Sequence, residues 1–245
     1  MKYLLIVSGY ENKPLFWERL IANVPSVISE TVSILCCADL LLRNRGGEEE
    51  KEIWIQEVLT QANKYNVVLN NGIECVDKIN DINSILSNSE CVIFSHNILN
   101  ALSDKKLLDQ INGSMISFDR NFEVVERCVV VFDKSVKSIE NFKKFFNHFA
   151  QTMKNSEVVL LIEIGKTLAE ASKNKKAVKF MIGLFKNVGV VTCPAKDLQN
   201  EIQRYLSRKE NSVLIFHKEK NEFIFEPKFK ENVESHKIAY YLDEF

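Results

Sequence analysis

The sequence predicts an α/β fold built twice: two tandem, doubly wound domains, each with a five-stranded parallel sheet, over residues 1–122 and 123–245. Three observations predict it. Short apolar runs alternate with longer stretches of helical periodicity, as strand–helix–strand units require when helices cover both faces of a parallel sheet. A shift of about 121–126 positions lays the five runs of the first half on those of the second, as in a duplicated unit. The halves also carry matching words: "SECVIFSH" and "ENSVLIFH" end in His96 and His217, and "SFDRNF" and "YYLDEF" close the two halves.

The first run is 2–8, "KYLLIVS". Pro14 suits the first turn of the helix after it, because its missing amide would be unpaired there anyway, and Phe16 and Trp17 are expected on the inner face. A second run, 32–38, leads through the loop "RNRGGEEE" to "EEEKEIWIQEVLTQANKY", a helix whose opening acids the dipole favours. Its expected inner residues are Ile53, Trp54 and Val58. Strands follow at 66–70, 91–95 and 114–118.

The second half restarts at "RCVVVF", 127–132. In the segment after it, Ser135 and Ser138 offer side-chain oxygens to the exposed first-turn amides, and Ile139, Phe142, Phe146 and Phe149 recur at helical spacing. A strand at 157–164 precedes a helix within 167–187, whose inner side reads as Leu168, Ala171, Val178, Ile182 and Phe185. The last three strands are expected at 188–193, 212–217 and 237–242.

With 46% apolar and 27% charged residues in 245, the composition is that of a soluble globular protein with room for two cores. Residues 1–122 carry 11 Lys and Arg against 16 Asp and Glu, whereas residues 123–245 carry 21 against 17. No basic stripe with interleaved aromatics accompanies this imbalance, so nucleic acid is not an expected partner. No apolar run approaches the ~20 residues of a membrane span, and "MKYLLIVSGYENK" reads as a strand and turn, not an export signal. The expected location is the cytoplasm. Cys36, Cys37, Cys75, Cys91, Cys128 and Cys193 lie mostly in apolar runs without a C-x-x-C, which suits reduced structural thiols.

Two five-stranded units, the second opening with strand, D-x-S turn and helix in "VFDKSVKS", resemble a tandem universal stress protein. The resemblance implies an adenine nucleotide alpha hydrolase-like (Rossmann-like) fold of strand order 3-2-1-4-5. It also implies pairing of the two halves through their fifth strands, "SMISFDRNF" and "KIAYYLDEF", as an intramolecular pseudo-dimer, and it leaves further association into a homodimer open. Family members that bind ATP place an Asp at the end of strand 1 and, after strand 4, a G-x2-G-x9-G-(S/T) loop whose amides hold phosphates. Asp133 and Ser135 match the first element; the first half has Ser8 and Gly9 there. Neither "SHNILNALSDKKLLDQINGS" nor "FHKEKNEFIFEPKFKENVESH" has the spaced glycines, and Gly113-Ser114 reads as a turn into the next strand.

No nucleophile, P-loop or zinc-protease motif is present, so neither catalysis nor a metal is expected. The resulting expectation is a non-enzymatic stress-response protein with a degenerate nucleotide-binding site, acting as an interaction or scaffold module for a protein partner that the sequence does not identify. ATP or another adenine nucleotide is disfavoured as a cofactor. The alternative is a small-molecule or nucleotide sensor, binding in the second half through Asp133, Ser135 and His217, near the switch point where open α/β sheets take ligands. Asp133 can equally hold its turn. His96 has the equivalent place to His217 in the first half, and Cys193 ends a strand where its role is structural.

Overall fold

Tyr3–Val7 forms β1, and all five of its residues are buried, as an uninterrupted apolar run demands when both faces of a strand are covered. The structure, a computed structural model, describes residues 3–7, 9, 11–37, 48–76, 78–95, 98, 111–118, 122–132, 136–149, 156–164, 167–208, 211–217 and 238–243. The chain divides into two units, Met1–Arg120 and Asn121–Phe245.

In the first unit, β1 is followed by α1 (Pro14–Asn23), the short α2 (Ser26–Ser29), β2 (Thr31–Cys37), α3 (Glu48–Lys64) and β3 (Val68–Val76). Then come a 3-10 turn (Ile79–Ile82), α4 (Asn83–Ser87), β4 (Cys91–Ser95) and β5 (Ser114–Phe118). The strands are parallel in the order β3-β2-β1-β4-β5. Right-handed crossovers made twice in one direction put α1 and α3 on the same face of the sheet, and the return to β4 puts α4 on the other.

The second unit runs β6 (Arg127–Phe132), α5 (Val136–Phe149), β7 (Glu157–Glu163), α6 (Leu168–Leu184), β8 (Val188–Cys193), α7 (Leu198–Leu206), β9 (Ser212–His217) and β10 (Ile238–Asp243). Its parallel order is β8-β7-β6-β9-β10, the arrangement of the first unit over again. The same handedness argument sets α5 and α6 side by side. Their contact is aromatic: Phe142 lies 6.3 Å from Phe180 and 5.8 Å from Phe185, and Phe146 lies 5.6 Å from Phe185, all edge-on, a favoured ring geometry.

Several expected elements move. Asn66 and Val67 do not begin β3. Asn66 takes a left-handed φ of 57°, with its amide on Asn63 O at 3.0 Å and the Val67 amide on Ala62 O at 3.0 Å, the bond pattern of a Schellman cap closing α3. The strand starts later and extends to Val76. On α3 the sheet-facing residues are Val58 and Ala62, both buried, whereas Ile53 is 56% exposed. Five residues from Val58 turns it about 140° round the helix. The same offset accounts for α6: Ala177 and Met181 are buried, whereas Ile182, five residues beyond Ala177, is 60% exposed. Ala171 is also exposed and Val178 half-buried, while Phe185 is buried as expected. On α5, Phe142 and Phe145 are buried and Phe146 half-buried; the side chains of Ser138, Ile139, Phe149 and Leu168 lie outside the described residues. β8, an edge strand of its unit, keeps only Cys193 buried and leaves Val190 41% exposed.

Candidate functional site

A doubly wound sheet has its ligand crevice outside the carboxyl ends of the strands, where neighbouring connections leave in opposite directions. In these units that point lies between β1 and β4, and between β6 and β9. In the second unit the register aligns Arg127 with Ser212 and Val130 with Ile215. Continuing it brings the end of β6 level with His217, the last residue of β9. Asp133 and Ser135 follow β6 in the chain and lie outside the described residues, as does the side chain of His217. His96, which follows β4, lies outside them too.

The β1–α1 turn shows how the first unit builds this end of its sheet. Gly9 has φ +114°, a conformation that side chains rarely adopt, and an added Cβ would meet nothing within 4 Å. Its amide donates to Glu11 Oε2 at 2.9 Å, and Glu11 is only 1% exposed. The Trp17 Nε1 then donates to Glu11 O at 2.6 Å, so one glutamate ties the turn to the inner face of α1. Sequence reasoning missed Glu11, which stands two residues beyond the position where the resemblance calls for an Asp. An acid inside a Gly-x-Glu turn was the available signal.

Beside this turn, α1 and α3 border a groove of about 590 Å3. Asn12 and Lys13 line one side and residues of α3 the other, among them Glu52, Gln56, Glu57 and Gln61. Asn12 Nδ2 donates to Glu57 Oε2 at 2.6 Å. Asn12 Oδ1 and Gln61 Oε1 are buried without a hydrogen-bond partner. Carboxylates and free amide oxygens together accept hydrogen bonds, so the groove is chemically suited to groups that donate them.

Gly113 and Ser114 stand at the opposite end of the sheet. The Ser114 amide donates to Glu90 O at 2.9 Å, and a Cβ on Gly113 would overlap the carbonyl oxygens of Ser89 and Glu90. Those residues precede β4, so the Gly-Ser pair packs the amino ends of β4 and β5 and faces away from the carboxyl-end crevice. Cys193 is buried. Burial raises its thiol pKa, and the Glu201, Asp197 and Glu163 carboxylates push in the same direction, which suits a structural thiol and not a nucleophile. Among the described residues, no three His, Cys, Asp or Glu side chains gather as a metal site would require, and no helix is long and apolar enough to cross a membrane.

No family model matches the chain, and no curated protein does. Solved structures match it. One is the crystal structure of a universal stress protein from Archaeoglobus fulgidus DSM 4304, 12% identical, with a TM-score of 0.68, covering 99% of this chain and 96% of that one. At such identity the likeness is one of fold: this chain has the α/β, adenine nucleotide alpha hydrolase-like fold of its neighbour.

Proposed function

We propose that the chain is a non-enzymatic protein of the universal stress type that does not hold ATP and serves as an interaction or scaffold module in the cytoplasm. The observation that carries this is the placement of glycine. A polyphosphate needs backbone amides at close approach, which glycine permits and a Cβ hinders. The chain has no glycine between residues 96 and 112 or beyond 189, and Gly113 is occupied in packing the amino ends of two strands. The fold likeness supports the universal stress type, and the donor-seeking groove between α1 and α3 supports a role in contacting other molecules. Calorimetric titration of the full chain with magnesium-ATP tests the reading: no binding heat is expected, and stoichiometric binding in the micromolar range would overturn it.

One observation favours a second reading, a nucleotide or small-molecule sensor: the strand register brings His217 level with the end of β6, next to Asp133 in the chain. A thermal-shift screen with adenine nucleotides, on wild type and Asp133→Ala, separates the two readings. Stabilisation of the wild type alone would favour the sensor; no shift in either would leave the scaffold reading standing.

A further inference from the structure

All six cysteines lie in strands; Cys75 is exposed and the other five are buried. The pairing of β2 with β3 explains why this exposed thiol stands where it does. Thr31 aligns with Val68 and Val32 with Leu69, the register then shifts, and beyond the shift Ile34 aligns with Ile73, Leu35 with Glu74 and Cys36 with Cys75. Gly72, at φ +81°, sits in the irregular segment, where positive φ accommodates a bulge. An unshifted ladder would set Cys36 against Ile73. The bulge adds two residues to β3, which preserves the alternation of faces and slides Cys75 into that place.

Aligned residues on neighbouring strands share a face of the sheet. Strands lie about 4.7–4.9 Å apart, inside the Cα separation of about 4.4–6.8 Å that a disulfide spans. Burial first, then Cys75, pushes the Cys36 thiol up to about 12, while Lys51 on α3 pulls it back. Cys37 belongs to the other face and aligns with Val76.

We propose that Cys36 and Cys75 are a peroxide-responsive dithiol pair, oxidised within one chain to a disulfide that joins β2 to β3. Cys75, open to water, is the thiol a hydroperoxide reaches. Its sulfur, as thiolate, attacks one peroxide oxygen, the O–O bond breaks, and the departing oxygen takes up a proton to leave as water or an alcohol. The product is a sulfenic acid on Cys75. The Cys36 sulfur then attacks the Cys75 sulfur, the S–O bond breaks, and hydroxide leaves with the Cys36 proton as water. With hydrogen peroxide the balance is two thiols and one peroxide to one disulfide and two waters. Burial keeps Cys36 from meeting the oxidant first, which assigns it the second step.

Peptide mapping tests this. The reduced full chain, freed of reductant, is treated with a few equivalents of hydrogen peroxide, alkylated, and digested with trypsin without reduction. The expected product joins peptides 20–43 and 65–78, two hydrogens lighter than their sum, with fragmentation placing the bond on Cys36. Cys37→Ala retains the linked peptide, and Cys36→Ala loses it. A bond through Cys37, a bond between chains, or Cys75 carried to sulfinic acid while Cys36 stays alkylatable on unfolding would each overturn the proposal. The wild-type map, with non-reducing gel electrophoresis to reveal a bond between chains as a dimer, distinguishes these outcomes, so a variant that fails to fold does not blunt the test.

Discussion

Arg127 and Glu157 face one another at the amino ends of β6 and β7, with Arg127 Nη2 2.7 Å from Glu157 Oε2 and Nε 3.3 Å from the same oxygen. The other branch of the guanidinium donates to Tyr205 O at 2.9 Å, so one buried cation joins two strands to the end of α7. The exposure is unequal: the Arg127 side chain is 6% exposed and that of Glu157 41%. Removing the glutamate strands a buried charge, whereas removing the arginine leaves a carboxylate that water can solvate. Glu157→Ala should therefore destabilise the second unit by about 1–2 kcal/mol, less than the cost of breaking a fully buried pair because water screens this one. Arg127→Met should cost less than Glu157→Ala. Urea unfolding followed by circular dichroism compares them; both tryptophans, Trp17 and Trp54, lie in the first unit and do not report on this contact directly. The reverse order of stabilities would contradict the argument.

Asn66 closes α3 with a left-handed backbone, which asparagine tolerates and a plain Cβ residue resists by about 1–2 kcal/mol. Asn66→Ala should lower the stability of the first unit by about 1 kcal/mol, while Asn66→Gly should be neutral within a few tenths. Tryptophan fluorescence in urea reads both, and equal losses in the two variants would show that the side-chain amide, not the backbone angle, is what matters.

This cap also shows where sequence legibility ended. "RCVVVF", "CVIFS", "SMISF", "VGVVTC" and "SVLIFH" appear as strands at their expected limits, because a continuous apolar run bounded by polar residues has few alternatives. "NVVLN" was harder: Asn66 is a residue that suits a left-handed helix end, but the valines after it read as strand from the start, and β3 continues through Gly72 only because a bulge absorbs it. Helix faces were read from apolar identity, which misplaced Ile53 and Ile182, since each lies about 140° from the buried stripe. At the candidate site, the lack of spaced glycines was plain in the sequence and the Gly-x-Glu turn left a local signal, while the groove beside it depends on α1 and α3 coming together, which no local pattern encodes.

Buried phenol and thiol groups set an alkaline limit on stability. Burial raises the Cys36 thiol from 9.0 to about 12 and holds the Cys128 thiol well above 9.0. Burial likewise lifts the Tyr3 phenol above its ordinary 10.0, although its hydrogen bond with Ser26 opposes the shift. In each case the folded state keeps a proton that the unfolded chain gives up. Their contribution is thus complete below about pH 9 and is lost as pH rises from there through the folded values, at up to ~1.4 kcal/mol per pH unit for each group. Urea midpoints measured from pH 8 to pH 11 should fall progressively, and Cys128→Ala should fall less steeply even if it starts lower. Parallel declines would remove Cys128 from the account.

Two glycines should respond to the same substitution with opposite signs. Gly183 lies in the last turn of α6, where an added Cβ meets nothing within 4 Å. Alanine there reduces the freedom of the unfolded chain and improves helix propensity, so Gly183→Ala should stabilise the second unit by about 0.5–1 kcal/mol. Gly113 has no such room, because its Cβ would enter the space of the Ser89 and Glu90 carbonyls. Backbone cannot step aside as a side chain can, and the Ser114 amide already binds Glu90 O there. Gly113→Ala should cost about 1–3 kcal/mol, read by tryptophan fluorescence of the first unit, and should leave nucleotide titrations unchanged. If Gly113→Ala proved harmless to stability yet altered a nucleotide response, the Gly113-Ser114 pair would have to be reassigned from strand packing to phosphate binding, and the ATP-free reading would fall with it.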